Sequence, residues 1–172
     1  MRQLLAILLF LSTPAFAQQT AEHPIHSLGF LAGEWNVVAE IRLSRDGPWE
    51  TSEAQSLIHR AVGATILEEE YTGKKQGRVF SAKAWFANDN RTKKYQKVFV
   101  DSDHGVLVHY EGELLEDLLT LYTEFDLNGI RLKLRSQYKF VSEDEFTAES
   151  ARSTDGGGSW DRTGTLTYKR KR

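Results

Sequence analysis

The chain has 172 residues, a formal charge of −2, and 40% apolar, 27% charged and 11% aromatic content. That suits one globular domain with a sizeable core, and it leaves no basic field to hold nucleic acid or an anionic membrane. There is no cysteine, which excludes disulfides, thiolate chemistry, cysteine-ligated zinc and a lipid anchor on cysteine.

The chain opens with Met1-Arg2-Gln3, a short positive start, followed by the apolar run Leu4 to Leu11 and by Ala15-Phe16-Ala17. A charged start, a short apolar run and a small-x-small site together make a secretory signal peptide, residues 1–17, cleaved near Ala17. The apolar run is too short for a membrane span, and nothing after it reaches the ~20 residues such a span needs. The expected product is periplasmic or secreted, with residues 18–172 as one domain and no stable membrane insertion.

After a loose leader, Ile25, Leu28 and Leu31 recur every three residues, which predicts a short helix or 3₁₀ turn acting as an apolar plug. Gly33-Glu34-Trp35 then opens a strand in which Trp35, Val37, Ala39, Ile41 and Leu43 fall on alternate positions. Further strand-like runs cover residues 49–60, 64–71, 78–88, 94–101, 106–113, 118–126, 130–141, 145–154 and 160–170. The clearest is Ile130 to Val141: Ile130, Leu132, Leu134, Ser136, Tyr138 and Phe140 share one face, and Arg131, Lys133, Arg135, Gln137 and Lys139 the other. Between runs lie turn signals: Asp46-Gly47, Val62-Gly63, residues 72–77, Asn88-Asp89-Asn90, residues 101–105, Asn128-Gly129 and Asp155 to Gly158.

About ten sequential strands on short turns predict an all-β, antiparallel, up-and-down β-barrel, since closure removes the exposed edges of a long meander. A barrel of that size has room for a small ligand. The Gly33-x-Trp35 opening behind a helical plug resembles the calycin superfamily, which holds lipocalins, fatty-acid-binding proteins and nitrobindin-type barrels. More narrowly, the Phe30 to Trp35 segment and the Asp155 to Trp160 segment resemble a bacterial exported family of uncharacterised lipocalin-like barrels. The resemblance implies that Trp35 closes one barrel end beneath a basic side chain of the last strand, with Arg162, Lys169 and Arg170 the candidates. Without it, Trp35 reads as an ordinary core residue. Nitrobindin-type barrels bind haem through a histidine late in the chain. Here none follows His109, so no cofactor is expected.

Ser153 to Trp160 fits Ser-x-Asp-x-Gly-x-Ser-Trp, the Asp-box of sialidases. Its single copy reads as a hairpin staple: Asp155 accepts backbone N–H bonds, Gly157 permits positive φ and Trp160 packs beneath. Gly33, Trp35, Asp155, Gly157 and Trp160 are therefore structural candidates. Asp101, Asp103 and His104 offer oxygen and nitrogen ligands in one turn, but too few for a calcium loop, so no metal is expected. The charged tail Lys169 to Arg172 reads as solvated. Glu68-Glu69-Glu70 must place a carboxylate on each face of its strand. No nucleophile elbow, phosphate loop, dinucleotide fingerprint or zinc-protease helix is present.

The main reading is a non-catalytic exported barrel holding a small, mostly apolar molecule. Its interior candidates are Trp85, Phe99, Val108, Tyr110, Leu132, Leu134 and Tyr138. The register decides these, because a one-residue slip turns every side chain of a strand to the other face. Two alternatives stand beside it. One is an enzyme using interior groups such as His59, His109 and Glu69, with Arg135, Arg152 or Arg162 completing a polar network. The other is a filled barrel that acts on a protein partner through its outer face.

Overall fold

A computed structural model describes residues 24–42, 44–127 and 129–172. The expected signal peptide, the leader behind it and His23 lie outside the described residues. A 3₁₀ helix, Pro24–Leu31, leads into ten strands. These are β1 (Gly33–Ile41), β2 (Glu50–Ala61), β3 (Ile66–Lys75), β4 (Arg78–Asn88), β5 (Tyr95–Asp101), β6 (Val108–Leu115), β7 (Leu118–Leu127), β8 (Ile130–Ser142), β9 (Glu145–Ser153) and β10 (Asp161–Arg170). Each pairs antiparallel with its neighbour in sequence, and β10 returns to β1 with Trp35 opposite Arg170 and Ile41 opposite Gly164. The sheet is thus a closed up-and-down barrel, and closure leaves no strand edge unpaired.

The alternation that predicts β1 is also what builds it. Trp35, Val37 and Ala39 are buried in the barrel, while Glu34, Asn36, Val38 and Glu40 face out. The largest boundary difference from the expectation lies at the end of β3. Residues 72–77 read as a turn, yet β3 runs on through Lys75 and only Gln76-Gly77 turns, both with positive φ (51° and 75°). Gly73 makes this possible. It sits opposite Ala54 of β2, and a Cβ there would lie 2.5 Å from the alanine Cβ, so the glycine marks a close approach of two strands.

The plug end is filled with rings. Ile25, Leu28 and Leu31 of the 3₁₀ helix are fully buried, and the Leu31 carbonyl accepts a 2.9 Å hydrogen bond from Trp35 Nε1. Trp35 meets Phe146 edge-to-face at 4.8 Å, and Phe146 stacks on Tyr168 at 4.1 Å. Of the three basic candidates it is Arg170 that covers Trp35, with its guanidinium 4.3 Å from the ring. Arg170 Nη1 also donates to the Ala32 carbonyl and Nε to that of Glu143, tying the chain's end to its entry. Gly33 has φ +148°, and a Cβ there would collide with Arg170 Nη1 at 2.3 Å, so the glycine clears the path of the guanidinium.

At the opposite end the rim is braced by polar contacts. Asp161 pairs with both Arg42 and Arg152, and Trp49 lies between the guanidiniums of Arg42 and Arg162, 5.0 Å from each. Trp49 therefore belongs to the rim and not to β2.

Candidate functional site

Between the aromatic plug and the open rim lies a cavity of about 260 Å³. Ile41, Phe80, Phe99 and Leu166 supply its apolar wall, and Glu69, Lys97, Tyr110, Ser136, Tyr138 and Tyr168 its polar one. A broader groove of about 1070 Å³ crosses β1 to β3 outside the barrel and is lined by exposed Asn36, Val38, Glu53, Gln55, Thr72 and Lys74. It brings no chemistry together, and the interior cavity is the candidate site.

Strand parity delivers the two charges. On β3, Leu67, Glu69 and Tyr71 point inward, while Glu68 and Glu70 point outward and share Lys83 at 3.0 and 2.8 Å. On β5, Tyr95 and Lys97 are buried on the row that continues to Phe99. Glu69 is 6% exposed, and its Oε1 accepts hydrogen bonds from Ser56 Oγ at 2.8 Å and Tyr168 OH at 3.0 Å. Lys97 is 8% exposed and donates to Tyr138 OH at 2.6 Å. Its ammonium also lies within 6 Å of the ring centres of Phe86, Phe99, Tyr110 and Tyr138, a set of cation–π contacts.

The titrations follow from burial and these neighbours. Burial alone would push the Lys97 ammonium down; the Tyr138 and Tyr110 oxygens and the Glu69 carboxylate outweigh it and hold the group above its ordinary value. Burial, reinforced by Glu69, raises the Tyr168 hydroxyl well above its usual range and Tyr71 to about 12. Burial raises Tyr110 as well, against the opposing pull of Lys97. At neutral pH the cavity thus presents the Lys97 ammonium and the neutral phenols of Tyr71, Tyr110 and Tyr168.

The sequence-based candidates divide. Phe99, Tyr110 and Tyr138 line the cavity. Val108 and Leu134 are partly buried and pack against the core at its margin. Leu132 is half-buried on the same row of β8, nearer the rim and off the cavity wall. Trp85 is a correction: Ala82, Ala84 and Phe86 are the buried residues of β4, so Trp85 points outward, across from Glu68. His59 and His109 stand at exposed positions, and His104 lies in an exposed turn. Arg135 pairs with Glu149 and lies over Trp160, and Arg152 pairs with Asp161. Of the groups weighed for an interior polar network, the barrel thus encloses Glu69, and Ser56 and Tyr168 partner it in place of an arginine.

Lys97 was not singled out by the sequence, although a signal existed. Placing Phe99 inside places Lys97 inside too, two residues away on the same strand. A lysine is so seldom buried that its parity is easily set aside.

The two polar turns are local structures. Asp101 Oδ1 accepts the backbone N–H groups of Asp103 and His104, and Asp103 pairs with Lys75. Among the described residues no group of three or more His, Asp or Glu side chains is placed to hold a metal. In the 153–160 hairpin, Asp155 Oδ1 accepts from Ser153 Oγ and the Ser159 N–H, and Oδ2 from Ser159 Oγ. Gly156 and Gly157 take φ of 73° and 104°, and Trp160 packs outside the barrel between Tyr122 and Arg135.

The Ser153 and Ser159 hydrogen bonds hold the Asp155 carboxyl well below the usual carboxylate range. A folded-state value below the unfolded one gives stability that is complete above the unfolded value and lost as pH falls through the folded one. The stability gap between wild type and Asp155→Asn, read by thermal unfolding, is expected to stay level down to about pH 5 and to narrow below about pH 4.

Among solved structures, the chain is similar to an S-type phycobiliprotein lyase, CPES, from Guillardia theta, at 12% identity and TM-score 0.53, over 86% of this chain and 92% of that one. It is also similar to a redesigned β-barrel (16% identity, TM-score 0.48, over 85% and 96% of the two chains). A third is EF1p2_mFAP2b bound to DFHBI (15% identity, TM-score 0.48, over 84% and 97%). At these identities the likeness is one of fold. Among curated proteins, none matches the chain in sequence. Residues 18–170, the whole barrel with the segment before it, match the model of a protein family, and the chain belongs to it: "Protein of unknown function (DUF1579)".

Proposed function

We propose that this is an exported, non-catalytic barrel that holds one small, mostly apolar molecule in its interior. The observation that carries the reading is the cavity of about 260 Å³ inside the barrel, whose lining includes the apolar side chains of Ile41, Phe80, Phe99 and Leu166. Sites for drug-sized ligands span roughly 300–1,000 Å³, so the occupant belongs at or below the small end of that range. Export rests on residues 1–17, whose charged start, apolar run and Ala15-Phe16-Ala17 site suit cleavage near Ala17 and release to the periplasm of a two-membrane host. The likeness to the lyase supplies a fold and lends no chemistry to this chain.

The test is to express the full chain in a bacterium, purify it from the periplasm and compare native with denaturing mass spectra. A mass excess that leaves on denaturation is expected, and Ala148→Leu, which fills the cavity wall, is expected to reduce it. A clean protein mass that persists after exposure to host lipid extract would overturn the carrier reading in favour of a surface partner. An uncleaved chain retained in the cytoplasm would overturn the export.

A further inference from the structure

We infer that the interior ligand is a small amphipathic carboxylate whose head group is held by Lys97 and whose apolar body lies against Phe80 and Phe99. The inference rests on the carrier reading above and specifies its ligand class.

The argument starts from what Lys97 lacks. An ammonium has three N–H donors, and a buried one is costly unless it is paired. Lys97 is 8% exposed and spends one donor, on Tyr138 OH. Among the described residues Lys97 forms no ion pair, not even with Glu69, although both line the same cavity. Glu69 is answered separately, by the Ser56 and Tyr168 hydroxyls. The rings around Lys97 offset part of its burial but accept no conventional hydrogen bond.

Further unspent donors lie on the same wall. Tyr110 is directly opposite Lys97 in the β5–β6 register, and Ser136 is two residues from Tyr138 on β8. Among the described residues neither hydroxyl has a hydrogen-bond partner, and both residues border the cavity. An ammonium with two free donors beside free hydroxyls asks for a group that is acceptor-rich and negative. A carboxylate fits that description, because charge-assisted N–H···O bonds are about twice as strong as neutral ones. A head group with two negative charges fits less well. Among the described residues Lys97 is the one buried cation on the wall, because Lys83 is turned to Glu68 and Glu70, and Glu69 would repel the second charge in a low-dielectric interior. For the same reason the head group belongs on the Lys97–Tyr110–Tyr138 side. The apolar lining residues Phe80 and Phe99, with Ile41 and Leu166, take a hydrocarbon body.

The experiment uses octanoate and octan-1-ol, probes with the same chain length and different head groups, titrated calorimetrically into the mature protein after ligand removal. Octanoate is expected to bind at least about ten-fold more tightly than octan-1-ol. Lys97→Met is expected to erase that preference, and Lys97→Arg to retain most of it. Should Lys97→Met fail to fold, Tyr138→Phe, which deletes the hydroxyl bonded to the ammonium, is expected to change the octanoate-to-octanol ratio and not octan-1-ol binding alone. Equal affinity for the two probes, or a preference that survives Lys97→Met, overturns the carboxylate assignment and leaves the carrier reading standing. Binding of neither probe overturns both.

Discussion

Replacing Trp35 with alanine is expected to cost the barrel about 3–5 kcal/mol of stability, the range for deleting a large buried aromatic side chain. Trp35 is fully buried where three parts of the chain meet: the 3₁₀ helix through the Leu31 carbonyl, β9 through Phe146, and β10 through Tyr168 and Arg170. Those partners come from distant parts of the sequence, so the loss cannot be repaired by a local shift. Chemical denaturation checks it, read as a lower midpoint with little change in slope. Trp35→Phe is expected to recover more than half of the loss by refilling the space without the indole N–H. Arg170→Met, at a side chain one-third exposed, is expected to cost about 1 kcal/mol at most, the scale of a partly solvated cation–π contact. A Trp35→Ala protein as stable as wild type would mean that the plug end contributes little to closure.

Replacing Glu69 with leucine is expected to cost about 2–4 kcal/mol, despite removing a buried charge. Taking a carboxylate out of water is expensive, which by itself would make leucine favourable. The deletion, however, strands what the carboxylate holds. Ser56 and Tyr168 hydroxyls lose their acceptor inside the barrel, at about 1–3 kcal/mol for each unsatisfied buried group, and Lys97 loses the negative charge that helps keep it protonated. The stranded donors outweigh the relief. If so, Glu69→Leu combined with Tyr168→Phe is expected to be less damaging than the sum of the two, by about 1–2 kcal/mol in a double-mutant cycle. Strict additivity would show that the hydroxyl and the carboxylate do not depend on one another.

Much of the architecture was legible because it is written in period-two alternation and turn chemistry. The strand Arg78 to Asn88 and the start of β8 at Ile130 fall where the sequence places them, and so does the plug over Pro24 to Leu31. The breaks at Glu116-Asp117 and Glu143-Asp144 carry no glycine or asparagine, yet β7 and β9 start at Leu118 and Glu145 as the alternation places them, with Glu116 at φ of 54°. Gly73 misled, since a glycine needed for close strand approach looks like one needed for a turn.

The site was legible in part. The β6 and β8 parities were readable because Val108 and Tyr110, and Leu132, Leu134 and Tyr138, alternate with polar residues. On β4 both faces carry rings, Trp85 on one and Phe86 on the other, and hydrophobicity cannot choose between them. The register with β3 chooses: Glu68 pairs with Trp85 and Leu67 with Phe86, and Lys83 bridges Glu68 and Glu70 outside.

By itself, the sequence determined that the chain forms sequential antiparallel strands with one apolar row each, because side-chain direction follows residue parity within a strand. Only the tertiary structure decided that Glu69 and Lys97 share one cavity, that they do not pair there, and that Arg170 and not Arg162 covers Trp35. Those outcomes depend on how strands far apart in sequence are staggered around the closed barrel, and no local pattern encodes that stagger.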